Sequence, residues 1–258
     1  KELINAIDNH GTFFQEIPII NTDRSVCARI SGEIAEKHGN KGFEGNLKLT
    51  FRGSAGQSFG AFLIKGMNII LTGEANDYVG KGMNGGEIII KPKIINNKSS
   101  NQVILGNTCL YGGTGGELYA LGRAGERFAV RNSGTKAVVE GTGDHCCEYM
   151  TGGVIVVIGS TGRNVGAGMT GGIAFIQDKE NKLFEKVNKE IVGIYPLSNQ
   201  EQESILKPLL EKHLKNTQSP LSKEILDDWN YWKKSFKILA PPSERSKIGL
   251  EETKEVLA

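Results

Sequence analysis

Short apolar runs, each ended by a glycine, recur along most of the chain. In "GGVIVVIGSTGRNVG" the residues Val154 to Ile158 lead into Gly159, Gly162 and Gly166; in "LKLTFRGSAGQSFG" Leu47, Leu49 and Phe51 lead into Gly53, Gly56 and Gly60. Looser copies start at Gly32, Gly73, Gly106, Gly122 and Gly141, so seven copies begin at intervals of 21, 20, 33, 16, 19 and 18 residues. Two residues before each start stand Ile30, Phe51, Leu71, Ile104, Ala120, Val139 and Val157. Four before stand Ala28, Leu49, Ile69, Gln102, Leu118, Ala137 and Ile155. Side chains two apart on a strand share a face, so each copy reads as a short strand with one apolar face.

The glycine slots have their own chemistry. Seven residues after each start the chain holds Gly39, Gly60, Gly80, Gly113, Ala129, Glu148 and Gly166, five glycines in seven against 34 in 258 residues overall. Three residues after stand Ala35, Gly56, Asn76, Cys109, Gly125, Asp144 and Gly162, mostly residues that tolerate a left-handed backbone. One such unit cannot bury its own apolar face, whereas stacked units can. The expected fold class is therefore all-β: a right-handed parallel β-helix of about seven coils with C-terminal α-helices. At roughly 4.8 Å per coil, the rod would be on the order of 30 Å long.

This reading divides the chain into a lead-in at 1–25, the glycine-repeat β-helix at 26–178, a helical extension at 179–240 and an extended tail at 241–258 with freedom to move. "KPKIINNKSSNQ" reads as an inserted loop within the repeats. "SNQEQESILKPLLEKHLKN" opens with a Ser198-x-x-Glu201 capping-box pattern, and Ser222 is the expected cap of a second helix carrying Ile225, Leu226, Trp229, Trp232 and Phe236.

Two literal G-x-G-x-x-G matches, "GAGMTG" at Gly166 and "GKGMNG" at Gly80, test the reading. A dinucleotide site needs a helix after its last glycine to receive the phosphates. Here "GIAFIQD" and "GEIIIKP" follow, both apolar and short, so strands are expected and the glycines are assigned to corners. Net charge is +2, which points to neither nucleic acid nor an anionic membrane. No apolar run approaches the roughly 18 residues of a membrane span, and "KELINAIDNHG" lacks the apolar stretch of a signal peptide.

The four cysteines, Cys27, Cys109, Cys146 and Cys147, are too sparse for a disulfide framework and fit a reducing compartment. "GTGDHCCEYM" is the one local cluster of reactive types, with Asp144, His145 and Glu148 beside the cysteine pair. Its spacing does not converge on a metal, so the cysteines are expected as apolar filler, and Asp144 and Glu148 as corner residues bonding to backbone N–H groups. Asn76 is placed at a corner in the same way. His10, His38 and His213 stand isolated, and no nucleophile–base set or Walker pattern is visible. No catalytic, cofactor-binding or metal-binding residue is assigned. A first residue of Lys rather than Met fits a processed chain or a piece of a longer one.

The repeats, with "NTDRSVCARISGEIA" before them and "HLKNTQSPLSKEIL" after, closely resemble the C-terminal GXGXG, β-helix domain of glutamate synthase large chains, from about Asn21 to about Leu239. Cys146–Cys147 and "LAPPSE" resemble the ferredoxin-dependent branch of plastids and cyanobacteria. The resemblance implies a parent that converts glutamine, 2-oxoglutarate and reductant to two glutamates. It also implies an amidotransferase domain, an ammonia tunnel, and an FMN-bearing barrel with a 3Fe–4S cluster. In that family this domain braces the others and contributes no catalytic residue, so the chain alone is expected to be inactive and to bind no cofactor. Its expected partners are the amidotransferase and FMN domains, with ferredoxin reached through the parent; its expected location is plastid stroma or cyanobacterial cytoplasm. The alternative is a free-standing scaffold subunit docking onto separate chains, as in the related domain of a formylmethanofuran dehydrogenase subunit. A weaker one is a metalloenzyme built on His145 and its cysteine neighbours.

Overall fold

The computed structural model describes residues 1–250. Its order is α1 (Glu2–Asp8), β1 (Thr12–Ile19), α2 (Ala28–His38), β2 (Asn46–Ala55), β3 (Met67–Ala75), β4 (Asn84–Lys91), β5 (Val103–Leu105), β6 (Gly115–Ala120), β7 (Arg123–Ala124), β8 (Ser133–Val139), β9 (Thr151–Val157), β10 (Gly171–Gln177), α3 (Leu183–Lys186), β11 (Gly193–Pro196), α4 (Gln200–Thr217), α5 (Pro220–Asp227), α6 (Trp229–Trp232) and β12 (Phe236–Ala240).

The twelve strands form one mixed, largely parallel sheet in the order β1-β2-β3-β4-β6-β8-β9-β10-β12-β11. Its end strands do not meet, so it is not closed. This corrects the expected seven-coil, right-handed parallel β-helix. A β-helix needs every coil to add a strand to two or three separate ladders. Here each repeat adds one long strand to a single sheet, and the return path is a corner; the short β5–β7 pair, touching β3 only at Ala75–Leu105, is the sole side branch among the described residues. The last two pairings, β10–β12 and β12–β11, are antiparallel. The first expected coil is not a coil at all. Ala28 and Ile30 lie in α2, because Ile30 and Ile34 follow helical spacing and Ile34 packs into the core.

What the pattern did place is the inward face. Leu49, Ile69, Ile88, Leu118, Ala137, Ile155 and Ala174 are register partners across seven strands, as are Phe51, Leu71, Ile90, Ala120, Val139, Val157 and Ile176. All are buried in one core between the sheet and the corners. Ile88 and Ile90 of β4 occupy the rows where Gln102 and Ile104 were expected, and Ile104 belongs to the side branch.

The opposite face carries a second core. Tyr119, Val138, Val156 and Phe175 point into it and meet Leu206, Leu210 and Ile225 of the C-terminal helices. Both helix starts lie away from the expected residues. α4 is capped by Asn199 in a reciprocal box with Gln202, one residue beyond the Ser198–Glu201 pair. α5 is capped by Ser219, whose Oγ accepts from Ser222 N at 2.9 Å, because Pro220 fixes the first helical turn. Gln202 Nε2 donates to the Ile248 carbonyl at 3.0 Å, and Ile248 and Leu250 are buried, so the start of the tail packs on α4; its last eight residues lie outside the described residues.

Candidate functional site

Between strands the backbone turns through six stacked corners in which left-handed residues alternate. The positive-φ residues are Ser58, Gly60 and Phe62; Tyr78, Gly80 and Gly82; Thr108, Leu110 and Gly112; Arg127, Ala129 and Arg131; His145, Cys147 and Tyr149; Asn164, Gly166 and Gly168. Each corner bonds to its neighbour: Gly80 N donates to Phe59 O, Leu110 N to Val79 O, Ala129 N to Cys109 O, Cys147 N to Phe128 O and Gly166 N to Cys146 O, at 2.7–2.9 Å. The aligned slot therefore reads Gly60, Gly80, Leu110, Ala129, Cys147, Gly166. Gly113 and Glu148, expected in that slot, lie three residues and one residue past it. The first offset arises because Leu105 pairs with Ala75 and Ala124, so Gly106 aligns with Asn76 and Gly125 rather than with the starts Gly73 and Gly122.

Both fingerprint matches sit in this ladder. Gly80, Gly82 and Gly166 spend their amides on neighbouring corners, and β4 and β10 follow rather than helices. No phosphate cradle forms. A glycine signal missed in the sequence lies just beyond the corners, in the doublets Gly85–Gly86, Gly115–Gly116, Gly152–Gly153 and Gly171–Gly172. The second glycine of each has φ between 74° and 87°, and the strand register shifts there, as in a β-bulge.

The cluster at "GDHCCE" is split by the corner. Cys146 and Cys147 point inward and are fully buried, 3.6 Å apart at sulfur. The ladder puts Cys109 in the same inward row as Cys146, with Phe128 between them. Burial pushes the Cys27 and Cys109 thiols up to about 12; the Cys146 hydrogen bond, then burial, raises Cys147. Native protein is thus expected to show no fast-reacting thiol toward an aromatic disulfide reagent, and four after unfolding.

Asp144, His145 and Glu148 stay outside. Asp144 Oδ1 accepts Arg163 N at 2.8 Å and its other oxygen pairs with the Arg163 guanidinium; Glu148 pairs with Arg127 at 2.8 Å rather than with backbone. The Arg163 amide, then its guanidinium, holds the Asp144 carboxyl below its usual range. A depressed folded pKa contributes stability above the unfolded value of roughly 4 that is lost as pH falls through the folded one. Asp144→Asn should therefore flatten the acid limb of the stability curve below about pH 4, measured by urea unfolding at stepped pH. Among the described residues no three His, Cys, Asp or Glu side chains converge on a metal position. Asn76 holds its corner slot, its N–H donating to Ala55 O at 3.0 Å.

Sequence reasoning missed one polar node. Glu140, at the end of β8, and His213 and Ser219, from α4 and the start of α5, are all buried between sheet and helices. Glu140 Oε1 accepts from Ser219 Oγ and lies 3.2 Å from His213 Nε2. Ser219 Oγ donates to the Glu140 carboxylate rather than to the imidazole and accepts from Ser222 N as the α5 cap, so the three do not line up as a serine–histidine–carboxylate relay. Beside the node, Lys212 pairs with Glu87 at 2.8 Å and with Glu117, joining α4 to β4 and β6. His213 stands 73 residues from Glu140, beyond the reach of any local spacing rule.

A family model described as the GXGXG motif matches residues 1–242. The chain is 59% identical over 246 residues to the ferredoxin-dependent glutamate synthase of Antithamnion sp., covering 95% of this chain and 16% of that protein. It is 56% identical over 245 residues to ferredoxin-dependent glutamate synthase 2 of Synechocystis sp., with 95% and 16% covered. It is 55% identical over 244 residues to the chloroplastic ferredoxin-dependent glutamate synthase 2 of Arabidopsis thaliana, with 94% and 15% covered. The chain thus spans 15–16% of the length of these relatives. With its glycine corners stacked in six layers and the family model matched over nearly all its length, this chain belongs to the GXGXG-motif family.

Proposed function

We propose that the chain is the structural GXGXG domain of a ferredoxin-dependent glutamate synthase, bracing the amidotransferase and FMN domains of the same polypeptide and supplying no catalytic residue. The observation that carries this reading is the match of 95% of the chain, at 59% identity, to 16% of such an enzyme. The fold suits the role. Sheet and corner ladder bond every layer to the next, and opposed cores on the two faces resist bending. A stiff brace holds two distant sites in a fixed relation while a small intermediate passes between them. The parent's FMN, 3Fe–4S cluster and ferredoxin would be handled by the remaining part of the polypeptide. Relatives described as chloroplastic and cyanobacterial support a plastid or cyanobacterial setting, and among the described residues no helix is long and apolar enough to cross a membrane.

The test places a destabilising change in this chain within the whole polypeptide. Glutamine hydrolysis should persist while glutamine-dependent glutamate formation from 2-oxoglutarate falls. Turnover by the isolated chain, or full coupling in a polypeptide lacking it, would contradict the reading.

A further inference from the structure

The two edges of the sheet are finished differently. At one, β11 is four residues long, and its Gly193, Ile194 and Tyr195 are buried. At the other, β1 runs eight residues in unbroken parallel register with β2, and no described strand pairs with its far side. Asn46 N donates to Gly11 O at 3.0 Å, which assigns the odd-numbered residues of β1 to the β2 ladder. The even-numbered residues therefore turn their backbone groups outward. Ile20 keeps this parity, and the turn at Asp23 takes both its groups: Asp23 Oδ2 accepts Ile20 N, and Ile20 O accepts Asp23 N, each at 2.9 Å. Thr12, Phe14 and Glu16 are left with outward N–H and C=O groups that no described residue meets. Beside this edge the core is open. Phe13 and Ile17 stand in the inward rows of Leu47 and Phe51, yet both are only half-buried, because no layer follows β1. Ile17 continues with Val26 and Ile30 into an apolar groove between β1 and the start of α2. On the other face Phe14 is 61% exposed.

We infer that β1 accepts a further strand. An extended segment of the remaining polypeptide lies along 12–17, exchanges hydrogen bonds with Thr12, Phe14 and Glu16, and sets alternate apolar side chains against Phe13, Ile17 and the groove. This rests on the reading that the chain is one domain of a longer polypeptide. The chain spans 15–16% of the relatives it matches, so most of such a polypeptide is left to supply the segment, and a tethered segment docks at high effective concentration. Natural sheets guard a bare edge by keeping it short, bulged, charged or covered. β1 is neither short nor bulged, and its single charge, Glu16, is paired with Arg52 of β2. Pro18, at the far end, blocks pairing only there. Donors and acceptors that repeat at every second residue are met by another backbone. A helix laid over them would leave each unpaired, at a cost of about 1–3 kcal/mol.

Hydrogen–deuterium exchange of the whole polypeptide, resolved to single amides by electron-transfer fragmentation, tests it. The amides of Phe14 and Glu16 should exchange at least about a hundredfold more slowly than free peptide amides. Those of Phe13, Gln15 and Ile17, bonded to β2, report in the same spectra that β1 is formed. A benzoylphenylalanine photo-cross-linker in place of the exposed Phe14 should join a segment of the same polypeptide outside this chain, with a yield that does not change on dilution. Fast exchange at Phe14 and Glu16, protection that is lost on dilution, or cross-links confined to this chain or formed between two copies would overturn the inference. Coupling of glutamine hydrolysis to glutamate formation is a separate readout. If Phe14 and Glu16 exchange freely while a destabilising change in the chain still uncouples the reaction, the docked strand is disproved and the bracing role stands.

Discussion

Gly73→Ala is expected to lose about 3–5 kcal/mol of stability, the largest effect of any single methyl added to the chain. Gly73 has φ +150°, a conformation L side chains rarely adopt, and its missing Cβ would fall inside the carbonyl of Gly53 on the next strand. That neighbour is backbone, held in register with Gly73 by the β2–β3 ladder, so it cannot swing away as a side chain would. Gly112→Ala provides the control. Gly112 also has positive φ, +63°, but nothing lies within 4 Å of its added carbon. Only the left-handed backbone penalty applies there, about 1–2 kcal/mol. Urea denaturation of the two variants separates close approach from backbone strain. Equal losses would mean that layer spacing is not what these glycines protect.

The second large effect is at the buried node. Glu140→Leu should cost about 3–5 kcal/mol, because it leaves the Ser219 hydroxyl and the His213 imidazole in a dry interior without their shared acceptor. Replacing both partners, Glu140→Leu with His213→Leu, should cost less than the sum of the single changes by more than about 1 kcal/mol, since an apolar pair leaves fewer orphaned groups. Strictly additive losses would show that the carboxylate and the imidazole do not depend on each other. Amide exchange in α4 should rise in the single variant while β2 and β3 stay protected, because the node ties the helices to the sheet rather than the sheet to itself.

These two sites mark where the sequence could be read and where it could not. Leu49, Ile69 and Leu118, and Phe51, Leu71 and Val139, were legible as inward rows because strand periodicity and burial act locally and repeat in every layer. The glycine corners were legible for the same reason, and so was the strand after each fingerprint. The overall architecture was misread. A periodic apolar strand followed by a corner is compatible with one open sheet as well as with a closed coil, and which forms depends on whether the return segments pair. Here the corners bond layer to layer without forming strands, and among the described residues the return path pairs as strands only where β5 meets β3 and β7. β4, expected as a strand after "GKGMNG", lies inside the 33-residue interval and so outside the repeat rows, and its Ile88 and Ile90 take the places given to Gln102 and Ile104. Ile30 followed the strand pattern in one register and the helix pattern in another, and packing of Ile34 decided for the helix. Glu140 directly follows β8. Its partners come from α4 and α5, and nothing near it in the chain announces them.

Native-state hydrogen exchange at the corner amides is the most direct test of the view that these glycine-rich turns form one stacked ladder rather than separate ligand loops. The amides of Leu110, Ala129, Cys147 and Gly166 each donate to a neighbouring corner. They should exchange only through global unfolding, with the same denaturant dependence as the amides of β3 and β9. Exchange at rates typical of exposed loops, independent of denaturant, would contradict it.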